Sequence, residues 1–337
     1  DRAGKLWIGT DAGLDRLDPR TGAITPQAIH SAGGSGALGD KVRALREDRN
    51  GALWIGTLGG GLARLDPSDG RITAYRHDPA VLTSLSHDRV RALLEDKAGR
   101  LWVATDGGLD LLEGAGFRHY RNDPTNPRSL SDSNVMSLYE DQSGLLWIGT
   151  RSGGVHKWNP ATWAFGHRTQ ATGDPSSLAD RMVTSFAEDR FGRIFVGTYG
   201  AGLHLMDRLT GDVSRYQVKG GAAGVADRVM ALSSDAAGAL WIGTMDQGLY
   251  RLDPATGSLK AYRHDPSDSR SLSDDAIMSL AVDGGGDVWV GTHGAGLNRF
   301  DSGTGSFRVY RHDPSQPKSL SSDVVTCMAT DPSGTLW

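Results

Sequence analysis

A Leu-Trp-Ile-Gly-Thr phrase returns along the whole chain. Its tryptophan stands at Trp7, Trp54, Trp102, Trp147, Trp241, Trp289 and Trp337, and Phe195 takes the one remaining place. Successive members are 45 to 48 residues apart, giving seven intervals. A period of roughly 40–50 residues with strand-like content is the signature of a β-propeller, whose blades are four-stranded sheets around a central channel. The fold class read from this is all-β: a seven-bladed ring of four-stranded antiparallel blades spanning 1–337. Composition agrees, because 38% hydrophobic residues and 46 glycines would supply one large core poorly. They suit thin blades that each bury small layers against two neighbours.

Blade two shows the local pattern. Val42 to Glu47 reads as a strand, and Asp48-Arg49-Asn50-Gly51 as a tight turn with Asp accepting hydrogen bonds and Gly taking positive φ. In the next strand, Leu53 to Thr57, alternation puts Leu53 and Ile55 on one face and Trp54 on the other. Leu58 to Gly61 turns the chain. Leu62 to Asp66 and Ile72 to Arg76 complete four strands. In four repeats a long connection follows: Asp78 to Ser86, Asp123 to Ser131, Asp265 to Ser273 and Asp313 to Ser321. Each reads Asp-Pro, four residues, Ser-Leu-Ser. The segments His30 to Gly39, Thr172 to Ala179 and Val218 to Ala226 are looser. Leu85, Leu130, Leu178, Leu272 and Leu320 each lie five residues before the next strand's Val or Ile, as plugs between blades would.

The chain opens inside one repeat and stops inside another. We therefore expect a segment of a longer protein. Its C-terminal strand, Asp323 to Thr330, is expected to join the first three strands and close the ring. Residues 334–337 would then duplicate the place of 4–7.

These phrases resemble the two-component regulator propeller repeats. The resemblance rests on Glu47-Asp48-x-x-Gly51-x-Leu53-Trp54-Ile55-Gly56-Thr57-x-Gly59-Gly60-Gly61-Leu62-x-Arg64-Leu65-Asp66-Pro67, extended by His77-Asp78-Pro79 and Ser84-Leu85-Ser86. It implies the non-catalytic sensor region of a bacterial signalling receptor, mostly periplasmic. Histidine kinase, hybrid kinase or diguanylate cyclase output domains would be its partners in the parent chain. It also implies an oligosaccharide or other small ligand, and a second propeller or a homodimer partner.

No catalytic or metal motif stands out. There is no Walker loop, no His-Glu-x-x-His and no cysteine pair, Cys327 being alone, and no cofactor or metal is expected. A formal charge of −4 gives no overall pull toward nucleic acid, and no run approaches about 18 apolar residues, so this segment does not insert directly into a membrane. His77, His264 and His312 recur before Asp-Pro and read as loop-stabilising residues. Tyr75, Tyr120, Tyr216, Tyr262 and Tyr310 read as packing residues, and Trp158 and Trp163 as outer-blade burial.

Binding is better sought where the repeat varies. The residue after each repeat Thr is Asp11, Leu58, Asp106, Arg151, Tyr199, Met245 or His293. First strands add Lys41, Arg43, Arg89, Arg91 and Arg228 beside their Val, four of them on blades two and three. Those four cations would bind a carboxylate or sulfate, or else pair with Asp40, Asp88, Glu47 and Glu95. The candidate ligand-binding residues are Lys41, Arg43, Arg89, Arg91, Asp106, Arg151, Tyr199, Arg228, Asp246 and His293. Two other readings stay open: a hydrolase or lyase acting on polysaccharide with Asp106, Asp246 and His293 around one mouth, and a protein-interaction platform without a small ligand.

Overall fold

The computed structural model describes residues 6–18, 21–27, 29, 41–66, 68–159, 164–168, 177–207, 210, 212–216, 227–283 and 285–328. They form 28 strands in seven four-stranded sheets, each antiparallel throughout. Blade two has the expected strands, Val42–Glu47, Leu53–Thr57, Leu62–Leu65 and Ile72–Tyr75, the last two each ending a residue early. The first strands of blades three to seven are Val90–Glu95, Val135–Glu140, Val183–Glu188, Val229–Ser234 and Ile277–Val282.

Ring closure is as expected. Val325–Met328 pairs with Leu6–Thr10, which continues to Gly13–Leu17 and Ile24–Gln27, so blade one is built from both ends of the chain. Of the duplicated places, residues 4, 5 and 334–337 lie outside the described residues, as do most of the three looser connections.

Each second strand is buried on both faces, so consecutive residues serve different junctions. Leu53 and Ile55 join the core between blades one and two, while Trp54 joins that between blades two and three. The repeat glycine makes room for the neighbour: a Cβ on Gly56 would stand 2.5 Å from Val90 Cγ1 of the next blade. Blade three carries Ala104 at this position and buries it completely. The connection leucines plug the junctions as their spacing implies. Leu85, Leu130, Leu178, Leu272 and Leu320 are at most 1% exposed.

The tryptophan is also latched. Trp54 Nε1 donates to Asp48 Oδ2 at 2.9 Å, while Asp48 Oδ1 accepts the backbone N–H of Asn50 and Ala52. The same bond joins Trp102 to Asp96, Trp147 to Asp141, Trp241 to Asp235 and Trp289 to Asp283. Trp158 is buried with its ring 4.9 Å from that of Trp102. Trp163 lies outside the described residues.

Candidate functional site

Both variable sets fall on one rim. In every blade the residue after the buried Thr donates its backbone N–H to the carbonyl of the residue preceding the first strand's Val or Ile. The pairs are Leu58–Lys41 (2.9 Å), Asp106–Arg89 (3.2 Å), Arg151–Asn134 (3.0 Å), Tyr199–Met182 (3.1 Å), Met245–Arg228 (3.0 Å), His293–Ala276 (2.8 Å) and Asp11–Val324 (3.4 Å). The Thr side chain fixes the turn from below: Thr57 Oγ1 donates to Gly61 O at 3.0 Å and accepts from Gly60 N at 2.9 Å. A rigid scaffold thus presents seven pairs of side chains that the shared backbone bond does not itself specify.

Inside this rim the first strands bulge. The register shifts between Val42 and Ala44, and likewise in all the other blades. A bulge leaves one residue out of the ladder and re-aims its side chain. The residues concerned are Arg43, Arg91, Met136, Thr184, Met230, Met278 and Thr326, all half-buried. They reach the neighbouring first strand: Thr184 Oγ1 donates to Val229 O at 2.8 Å, and Arg43 Nη1 to Thr326 O at 3.5 Å.

Of the four clustered cations, two share one carboxylate. Arg91 holds Asp106 through two hydrogen bonds, 2.6 and 3.0 Å, and Arg89 Nε lies 3.0 Å from the same carboxylate. The ion-pair partner is therefore Asp106 on the opposite turn. Asp88 instead accepts His77 N, Glu95 pairs with Arg49, and Asp40 lies outside the described residues. Burial opposes ionisation of Asp106, but hydrogen bonds and charge from Arg91, with Arg89 and His87, hold its carboxyl below the usual range. Arg228 meets Asp246 at 2.9 Å in the open, where an ion pair is worth little. Lys41, Arg151 and His293 are exposed and Tyr199 is half-buried.

Arg43 differs from these. No carboxylate among the described residues lies within ion-pair distance of it. Burial lowers its pKa from the ordinary value, Cys327 opposes this, and the neighbouring Arg91 adds to it. A guanidinium does not discharge at working pH. Among the described residues, Arg43 is thus an under-compensated cation at the inner mouth, between blade two and the closing strand.

One set of polar residues escaped the sequence reading. The residue after the third strand's first Leu or Val is Asp15, Ala63, Asp110, His156, His204, Tyr250 or Asn298, all at most 4% exposed. Most receive the incoming connection. Ser86 N donates to Asp110 at 2.9 Å, Ser273 N to Asn298 Oδ1 at 3.0 Å, and Ser321 N and Oγ to Asp15 Oδ2 at 2.7 and 2.8 Å. Ser131 Oγ meets His156 Nε2 at 3.0 Å, and Ala179 N donates to His204 Nε2. Burial pushes His204 down to about 4, so it is a neutral acceptor. The available signal was a polar residue recurring inside apolar third strands such as Leu-Asn-Arg-Phe. Among the described residues no group of three or more metal-ligating side chains converges, and no helix is long and apolar enough to cross a membrane.

The family model for the two component regulator propeller matches residues 36–59, 84–107, 129–152, 177–200 and 271–294. Each match runs from a connection through two strands into the rim turn. These are two-component regulator propeller repeats. No curated protein matches the chain. Among solved structures, the chain is similar to the extracellular domain of a hybrid two-component system from B. thetaiotaomicron, with a TM-score of 0.71 and 22% identity. The alignment covers 86% of this chain but 37% of that one, so the propeller spans just over a third of that structure. It is also similar to virginiamycin B lyase from Staphylococcus aureus, with a TM-score of 0.64, 15% identity and coverage of 86% and 88%. At such identities the likeness is one of fold.

Proposed function

We propose that this propeller is a non-catalytic ligand-sensing region of a bacterial two-component-type receptor, on the periplasmic side. It captures a small anionic ligand, such as an acidic oligosaccharide, at the rim around the channel mouth. Arg43 carries this reading. A half-buried guanidinium with no carboxylate partner among the described residues, beside a second guanidinium, favours any anion that reaches it. Lys41 and Arg151 on the exposed rim add positive charge for capture. Binding shifts receptor geometry only as far as the ligand's affinity differs between two states.

Thermal-shift titration with uronate- or sulfate-bearing disaccharides, against neutral ones of equal size, tests this. The acidic set should raise Tm saturably, and Arg43→Met should abolish that rise while leaving the apo protein as stable or more so. Equal responses to neutral sugars, or an unaltered response in Arg43→Met, would sink the reading, and silence across both sets would favour a protein-interaction platform. An enzyme needs an acid and a base free to exchange protons. Asp106 is clamped by two arginines and Asp246 is paired with Arg228, which speaks against that alternative. Glycan turnover lost on His293→Ala or Asp106→Ala would overturn the non-catalytic assignment.

A further inference from the structure

Five of the seven blade junctions share an aromatic filling that is absent between blades one and two. In five blades the fourth strand places a tyrosine beside the repeat aromatic. Tyr75, Tyr120, Tyr262 and Tyr310 lie 5.7–5.9 Å from Trp54, Trp102, Trp241 and Trp289 between ring centroids, tilted by 24–38°. Tyr216 stands 5.6 Å from Phe195. In blade one the register puts Gln27 opposite Leu14, where Tyr75 stands opposite Leu62. Blade four has Arg168 there, on a strand whose side chains lie outside the described residues.

Gln27 does not replace the ring. Its amide folds back onto its own strand, donating to Thr25 O and Pro26 O at 3.2 and 3.3 Å. The facing wall does not compensate either. Phe117 covers Tyr75 from blade three, and Phe300 and Phe307 cover Tyr262 from blade seven, but blade two offers only Leu65 and Ile72. The result is a cleft of about 310 Å³ lined by Trp7, Leu14, Gln27, Leu53, Leu65 and Ile72. Trp7 is 7% exposed, the most of the described repeat tryptophans.

We propose that this cleft binds a neutral aromatic ring, phenolic or indolic, seated where the missing tyrosine ring would lie. The protein supplies the template itself, since four other tryptophans hold a phenol at one distance and a narrow range of tilt. Aromatic pairs are favoured beyond the area they bury. The face of the cleft formed by Trp7, Leu14, Leu53, Leu65 and Ile72 is apolar and would pack an aromatic ring without leaving its own groups unpaired. Arg16, Glu47 and Asp66 also lie in the lining, Arg16 with its guanidinium carbon 5.3 Å from the Trp7 ring centre. This site is separate from the rim and does not depend on the sensing assignment.

The test is a thermal-shift and calorimetric titration with p-cresol, using methyl glucoside as a non-aromatic, polar control. The wild type should show a saturable rise in Tm with p-cresol and none with the glucoside. Gln27→Tyr restores the repeat residue, so it should melt higher without ligand and lose the p-cresol response. Leu65→Phe fills the cleft from the other wall and should also weaken the response, which guards against a misfolded single variant. Arg43→Met should leave it intact, which separates this site from the rim. No saturable response in the wild type, an equal response in Gln27→Tyr, or an equal response to the glucoside would overturn the proposal.

Discussion

At the scale of the residue, the recurring tryptophan is held by chemistry as well as by packing. Its indole N–H is buried and must find an acceptor, and the turn aspartate six residues earlier supplies one. The sequence marked that aspartate as a turn residue, which it is. Its second oxygen was not legible, because a turn motif does not reveal which side chain curls back over it. The Phe195 side chain has no N–H to offer, and Asp189 Oδ2 accepts from Arg193 Nε at 2.7 Å, a bond that Arg100 also makes to Asp96 alongside Trp102. The same unpredictability affects Asp15, whose pairing depends on a serine about 300 residues away. Asp15 is fully buried, Oδ1 has no partner, and burial raises its pKa despite the hydrogen bonds from Ser321. A carboxyl with a raised folded pKa stabilises fully below its unfolded pKa and loses that contribution as pH rises through the folded value. Asn298 does the same task in blade seven without a charge. Asp15→Asn should therefore melt higher than wild type at pH 7, with the difference shrinking toward pH 3; denaturant melts across that range check it, and a constant difference would contradict the charge explanation.

At the scale of the element, the connections behave as rigid straps. Their leucines were legible because fixed spacing to the next strand is a local pattern. The histidines were too: His77, His264 and His312 each place Nδ1 within 2.6–2.8 Å of the carbonyl of the plug leucine, while the backbone N–H binds an aspartate. Asn122 makes the equivalent bond in blade three. What local pattern cannot show is where the strap lands. Ser86 meets Asp110 24 residues later, in a strand of the next blade that must first fold. The candidate site has the same division. Its variable positions were visible as breaks in the repeat, but Asp106 gripping both Arg89 and Arg91 depends on the turn facing the strand start. Leu130→Ala, which hollows the junction of blades three and four, should cost about 2–5 kcal/mol in a denaturant melt. A loss under roughly 1 kcal/mol, the usual size of a surface effect, would mean the strap is not a plug.

At the scale of the whole molecule, the count of blades and the closing strand were both legible, because the phase of the repeat at each end dictates which strand is missing. The strength of each junction was not. Glu95, Glu140 and Glu188 accept the turn N–H of Arg49, Lys97 and Gln142 from the preceding blade, at 2.8–3.0 Å. Blades six and seven end their first strands in Ser234 and Val282 and lack this stitch. Removing residues 323–337 should broaden the melt and abolish its cooperativity, since blade one loses its inner strand; calorimetry decides, and an unchanged transition would contradict closure by this strand.

That closing strand also sets how the ring answers a pull. Ile8 faces Met328, Gly9 faces Cys327 and Thr10 faces Val325 in an antiparallel pair. Force applied at Leu6 and Met328 enters the pair from one side and loads its rungs in succession instead of together. The seam is thus a zipper under tension, while every other blade, continuous in the backbone, is bypassed until it opens.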